Sequence, residues 1–367
     1  MTPDDRAAMA HLARVIGEER RQPVRALALV DFRERALRAR PSDAKTINAI
    51  AAAATPAAAD IASALVEHYL AGVAEPAPAT DVDLLLLTVK PVELEAMQVV
   101  LGRTIGEPGD VPQRSGRHYF DGQLDSGVAG RPLTYTLACL HKQGNARAGV
   151  ETRDILADRK PRLAVLVGMA AGHPKKVQPG DVVGAELVVY VAPGTRTDDG
   201  IVTDPDPLRP PEGIGTEMAA ARPQHHAWPE RYASAVAAAS AAGLTLPTAV
   251  PGARPPTMTT GAVVSDELKD ETTRIASMLD AHTGDAKAYD MESGGFAQAC
   301  QRAGVDWLVF RGVADFGVKL DDDGQELPRD KSWQLAATMS AGTAVLAWLT
   351  GQSLVFGRVP RTADGTG

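Results

Sequence analysis

From residue 82 onward the chain carries a succession of apolar, β-leaning runs: "VDLLLLTV" (82–89), "LTYTLACL" (133–140), "RLAVLVGMA" (162–170), "DVVGAELVVYV" (181–191) and "VDWLVFRGV" (305–313). The runs are almost continuously hydrophobic and do not alternate with polar residues, which predicts strands covered on both faces. Helical spacing fills the gaps at Ala146 to Ala157 and Glu292 to Ala303. Strand–helix alternation of this kind predicts an α/β domain of three layers. Residues 193 to 258 are rich in Pro, Gly and Asp, including "DPDPLRPPEG", and predict an irregular excursion with one helix near 229–243.

The first 72 residues follow a different period. Met9, Leu12, Ala13 and Ile16 recur at the spacing of one helical face, and Pro23, Arg40-Pro41-Ser42-Asp43 and Thr55-Pro56 cut the segment into short helices. "AEPAPAT" (74–80) has no period and reads as a Pro/Ala linker. The expected organisation is a small all-α domain over 1–75, a linker at 76–81, an α/β domain over 82–352 and a flexible tail at 353–367.

Charge and composition narrow the function. The formal net charge is -8, and the first 80 residues are balanced at ten basic against ten acidic, so the excess acidity lies in the α/β part. A nucleic-acid surface ordinarily shows as a basic domain, so none is expected. Acidic residues stand where a signal peptide would carry positive charge, and no apolar run approaches the roughly 20 residues that cross a bilayer, so neither export nor a membrane span is expected. Cys139 and Cys300 are the only cysteines, too few for a disulfide framework, and fit a reducing cytoplasm.

In an open α/β sheet, ligands sit beyond the carboxyl ends of the strands. Three predicted strands end in suggestive residues: one leads to Glu93, one to the turn "GMAAG" and one to Asp315. Alone, each has a plainer account. Glu93 and Glu292 suit the first turn of a helix, where the dipole favours a carboxylate, and Asp315 suits a turn. Adjacent His225 and His226 lack metal-ligand spacing, and "GMAAG" matches neither the dinucleotide nor the Walker pattern.

Taken in order, Glu93, "GNARAG" (144–149), "GMAAG...KKVQPGDVV" (168–183), "YDMESGG" (289–295) and "RGVADFG" (311–317) resemble the nucleoside phosphorylase and methylthioadenosine/S-adenosylhomocysteine nucleosidase superfamily over residues 82–350. The resemblance implies a central mixed sheet and N-glycosidic cleavage of a purine nucleoside or nucleotide, with no metal or organic cofactor. It implies that Glu292, after Met291, accepts the ribose hydroxyls. Asp315 is implied to protonate purine N7, and Glu93 to activate water. Gly168, Met169, Arg311, Asn145 and Val264 fall at implied substrate-lining positions.

The phosphorylase branch carries a Gly-Asp-Pro-x-Arg-like turn and an Arg and Ser that grip phosphate. Here Lys90-Pro91-Val92-Glu93, Leu166 and Met169 stand instead, which favours water over phosphate. The basic residues Lys142, Arg147, Lys175 and Lys176 are candidates for a 5′-phosphate, with His141 nearby in sequence. Related proteins with an added N-terminal region include effectors of bacterial defence and signalling that cleave ATP, so ATP ranks beside methylthioadenosine-like substrates. The resemblance also implies a homo-oligomer, and the arrangement suggests a protein partner for residues 1–75. Phosphorolysis and a catalytically silent nucleotide sensor are the alternatives. Where the family carries Ser before its catalytic aspartate this chain has Ala314, so the bond that orients Asp315 must come from elsewhere.

Overall fold

The computed structural model describes residues 80–107, 109, 117–124, 132–197, 200–220, 228–247, 255–266, 275–317 and 332–351. The chain divides into two compact units, residues 1–79 with 110–119 and residues 80–109 with 120–367. The described residues lie almost wholly in the second unit. The expected helical module over 1–75, His225-His226 and the tail at 353–367 lie outside them.

The described strands are β1 (Thr80–Thr88), β2 (Tyr119–Leu124), β3 (Leu133–Cys139), β4 (Arg159–Gly172), β5 (Val182–Thr197), β6 (Gly200–Leu208), β7 (Met258–Asp266), β8 (Ala286–Asp290) and β9 (Asp306–Asp315). The described helices are α1 (Pro91–Val100), α2 (Asn145–Asp158), α3 (Glu212–Ala220), α4 (Trp228–Ala241), α5 (Ile275–His282), α6 (Ser293–Ala303) and α7 (Ser332–Gly351). The strands form one mixed sheet in the order β2-β3-β1-β4-β8-β7-β5-β6, with β9 against β4 and β5. Successive pairings β4–β8, β8–β7, β7–β5, β5–β9 and β9–β4 therefore close into a ring.

Strand β9 shows why its sequence is apolar throughout. Successive side chains of a strand point to opposite faces. On one face Trp307 meets Phe296 of α6 edge-on at 6.3 Å between ring centroids, and Arg311 reaches Ser293. On the other, Phe310 packs on Trp348 of α7, and a Cβ on Gly312 would collide with the backbone of Ala337. Helices thus cover both faces, giving the three layers. The main core, including Leu84, Leu86, Leu137, Val165 and Phe310, is sealed by the apolar α7. A second core joins Val189, Val264, Leu279 and Tyr289 around β5, β7 and β8.

The region 193–258 differs from the irregular excursion predicted for it. Within it β6 pairs antiparallel with β5 at the end of the sheet, and α3 follows. Pro205 and Pro207 are two residues apart, so their missing donors fall on the same side, a pattern that an edge strand tolerates on its unpaired side. Among the described residues, no helix is long and apolar enough to cross a membrane.

Candidate active site

The strands set four polar side chains around the carboxyl end of β4. Glu93 reaches back from the first turn of α1 and is buried. Its Oε2 accepts the N–H of Val89 at 2.7 Å and of Lys90 at 2.9 Å, which satisfies helix-terminal donors as a first-turn carboxylate does. Its Oε1 accepts the N–H of Met169 at 2.9 Å. The same carboxylate therefore caps α1 and binds the "GMAAG" turn.

Gly168 makes that approach possible. A Cβ there would stand 2.5 Å from Glu93 Oε1 and 2.6 Å from Nη1 of Arg311. Arg311 is fully buried on β9, and Nη1 has no hydrogen-bond partner within the protein. Burial works against its charge, yet Asp290, Glu292 and Glu93 outweigh that and hold its pKa above the ordinary value.

Glu292 stands at the N-cap of α6, 5% exposed. Its Oε1 accepts the N–H of Gly144 at 3.4 Å, and its Oε2 lies 3.6 Å from Nη2 of Arg311. Burial pushes its carboxyl up to about 7, with Arg311 pulling down and Asp290 and Glu93 pushing up. Near neutral pH such a group presents both an acceptor and an O–H donor, a fit for two vicinal hydroxyls. Met291, beside it, packs against the second core.

Asp315 ends β9, half-buried. Pairing with β4 steps from Ala170–Val313 to Ala171–Asp315, leaving Ala314 as an extra residue, and such a bulge re-aims the side chain that follows it. Its Oδ1 accepts the N–H of Gly317 at 2.7 Å, where Gly317 adopts φ 70°. That turn supplies the orienting bond that Ala314 cannot.

The remaining predicted residues separate into groups. Asn145, fully buried at the start of α2, donates to the Asp266 carbonyl at 3.0 Å and accepts the Gly295 N–H at 2.9 Å, with Ser265 Oγ also 2.9 Å from its Oδ1. It ties three elements together behind the site. Val264 is fully buried in the second core. Lys142, Arg147 and Lys175 face solvent. Lys176 does not: its Nζ donates to Asp280 Oδ1 at 2.7 Å and to the carbonyls of Gly284 and Ala286 at 3.0 and 3.1 Å. An ammonium has three protons, and these acceptors take them, so Lys176 has none for a phosphate.

Sequence reasoning passed over Asp290, Ser293 and Ser265. Asp290, 5% exposed at the end of β8, is the acidic partner of Arg311, with Nη2 at 2.6 Å. The only signal was its place two residues before Glu292 in "YDMESGG". Among the described residues, no group of three or more His, Cys, Asp and Glu side chains is arranged to hold a metal.

This sheet, with a cluster of carboxylates around a buried arginine at its strand ends, defines a class of protein. A family model described as "Phosphorylase superfamily" matches residues 111–348, and the chain belongs to that superfamily. It is similar to "ATP nucleosidase Cap17" of Escherichia coli, 27% identical over 249 residues, which cover 65% of this chain and 47% of the relative. The chain thus spans about half the length of the curated relatives it matches. Among solved structures, the 5'-methylthioadenosine/S-adenosylhomocysteine nucleosidase of Neisseria meningitidis in complex with methylthio-immucillin-A aligns with TM-score 0.50 at 17% identity, covering 74% of this chain and 99% of that one. Futalosine hydrolase of Helicobacter pylori aligns with TM-score 0.50 at 12% identity, over 75% and 99%. These two likenesses establish the shared fold.

Proposed function

We propose that the chain hydrolyses the N-glycosidic bond of a purine nucleoside or nucleotide and releases adenine. The observation that carries this is the approach of a buried carboxylate oxygen, Glu93 Oε1, and an unpartnered guanidinium N–H, Nη1 of Arg311, to the same side of Gly168, which has no side chain to keep them apart. A water bridging these two groups would donate to Glu93 and accept from Arg311. A phosphate beside Arg311 would meet the Glu93 carboxylate, a repulsive neighbour.

In the proposed reaction Glu292 holds the ribose 2′- and 3′-hydroxyls. Asp315 gives a proton to purine N7 as the C–N bond breaks, so the base leaves with the bonding pair. Water adds to the sugar carbon and passes its proton toward Glu93. Sugar cleavage of this kind passes through an oxocarbenium-like state, which the carboxylates around the sugar favour. The name of the Escherichia coli relative supports a nucleotide such as ATP, and the exposed Lys142, Arg147 and Lys175 are the cations proposed for its phosphates. The proposal extends to an effector role in bacterial defence or signalling. It includes a cytoplasmic location, in keeping with two free, buried cysteines, assembly as a homo-oligomer, and a protein partner for residues 1–75.

The test is base release from adenosine, methylthioadenosine, AMP, ATP and NAD, followed by chromatography. Adenine from at least one of them is expected. An inert protein across the whole panel would favour a silent nucleotide sensor.

A further inference from the structure

Arg311 poses a question of aim. Its Nε donates to Asp290 Oδ2 at 2.7 Å, its Nη2 lies 2.6 Å from the same oxygen, and Nη2 also reaches Ser293 Oγ at 3.4 Å. Only Nη1 is left without a partner, in a side chain with no exposed surface. An unpaired buried donor is costly, so its persistence points to a guest atom. A guanidinium is rigid and planar, so gripping its Nε/Nη2 edge dictates where Nη1 points.

We infer that Asp290 is the positioning residue that aims Arg311 at the attacking water, acting through Arg311 and not on the substrate. This rests on the proposal that Glu93 and Arg311 hold that water. Asp290 has no oxygen to offer a substrate. Oδ1 accepts Ser265 Oγ at 2.6 Å and the N–H groups of Glu292 and Ser293 at 3.3 and 3.2 Å. Oδ2 takes Arg311 and the hydroxyl of Ser293. The same carboxylate therefore caps the first turn of α6, fixing the backbone of Glu292, while gripping Arg311. Sugar clamp and water holder hang from one anchor, itself steadied by Ser265 and, through Ser265, by Asn145.

The experiment is a double-mutant cycle with Asp290→Asn and Arg311→Met. In D290N a single amide oxygen must serve donors on two sides, Arg311 on one and the Glu292 and Ser293 N–H groups on the other, so an NH₂ faces a donor whichever way the amide turns, and the guanidinium edge loses its charged partner. D290N should lower kcat by on the order of 100-fold, as loss of one oriented donor does. Because it acts mainly through Arg311, D290N should cost far less in the R311M background than in the wild type, the remainder being its hold on α6; losses that multiply in full would overturn the inference. A crystal structure of D290N reads the aim without any activity: Arg311 Nη1 should leave Gly168 and Glu93, and an unmoved guanidinium refutes the role. That arm still decides if the wild type releases no base, an outcome that would sink the hydrolase proposal by itself. Should D290N fail to fold, Ser293→Ala removes the hydroxyl bridging Asp290 and Arg311. It should cost about 10-fold in kcat, a typical effect of losing a group that orients another, and no added loss in the R311M background; a multiplying loss overturns the inference there too.

Discussion

Replacing Gly168 by Ala adds one methyl group between Glu93 and Arg311, where there is no room for it. The new Cβ would lie 2.5 Å from Glu93 Oε1, 2.6 Å from Arg311 Nη1 and 2.9 Å from Glu93 Cδ. Ordinary contact begins at about 3.5 Å, so the two polar atoms must retreat by about 1 Å and Cδ by about 0.6 Å, or the strand must shift. Gly168 does not occupy the left-handed region, so backbone strain plays no part and the whole effect is steric. Overpacking a filled site costs about 1–3 kcal/mol of stability. The chemical cost is comparable: a displacement of about 1 Å among positioned groups lowers rates on the order of 100-fold, equivalent to about 2.7 kcal/mol in the barrier. Adenine release by Gly168→Ala, measured beside urea unfolding, should therefore fall by at least that factor while the unfolding transition stays cooperative. A folded variant working at the wild-type rate would refute the placement of the nucleophile between Glu93 and Arg311.

Asp315→Asn removes the proton proposed for purine N7 and should abolish base release while nucleotide affinity, measured calorimetrically, stays within a few-fold; retained turnover would argue against its role. Glu292 ties stability to pH. Its carboxyl is held up to about 7 from 4.5 by burial, so its favourable contribution is full below about pH 4.5 and lost as pH rises through 7, a swing of about 3 kcal/mol. Urea unfolding at about pH 5 and about pH 8 should show that swing in the wild type and lose most of it in Glu292→Gln; identical pH slopes would contradict the burial of charge there. Burial also pushes the Cys139 thiol up to about 11 and the Cys300 thiol higher still, so both should resist a thiol reagent near neutral pH until the chain is unfolded.

The sequence displayed what local chemistry dictates and hid what depends on distant partners. β9 was legible because both of its faces are covered, which leaves an unbroken apolar run from Trp307 to Phe310. β6 was not, since Pro205 and Pro207 mark a central strand as broken but leave an edge strand intact. β8 is five residues containing Lys287, too short to stand out, and α3 carries two glycines. Glu93, Glu292 and Asp315 were visible because each sits at the end of a strand or the start of a helix. Lys176 was misjudged for a spatial reason: its partner Asp280 lies 104 residues further along the chain. Asp290 and Ser265 gain their roles only where β7, β8 and β9 converge, and no spacing in the sequence announces that.

The central claim is that water attacks the sugar. The direct measurement is to run adenine release from the best substrate in ¹⁸O-labelled water, with and without inorganic phosphate, and to analyse the sugar by mass spectrometry. Hydrolysis gives an unaltered rate without phosphate and a free sugar carrying ¹⁸O at its anomeric carbon. Release that requires phosphate and yields a ribose 1-phosphate would contradict it, and with it the role of Glu93.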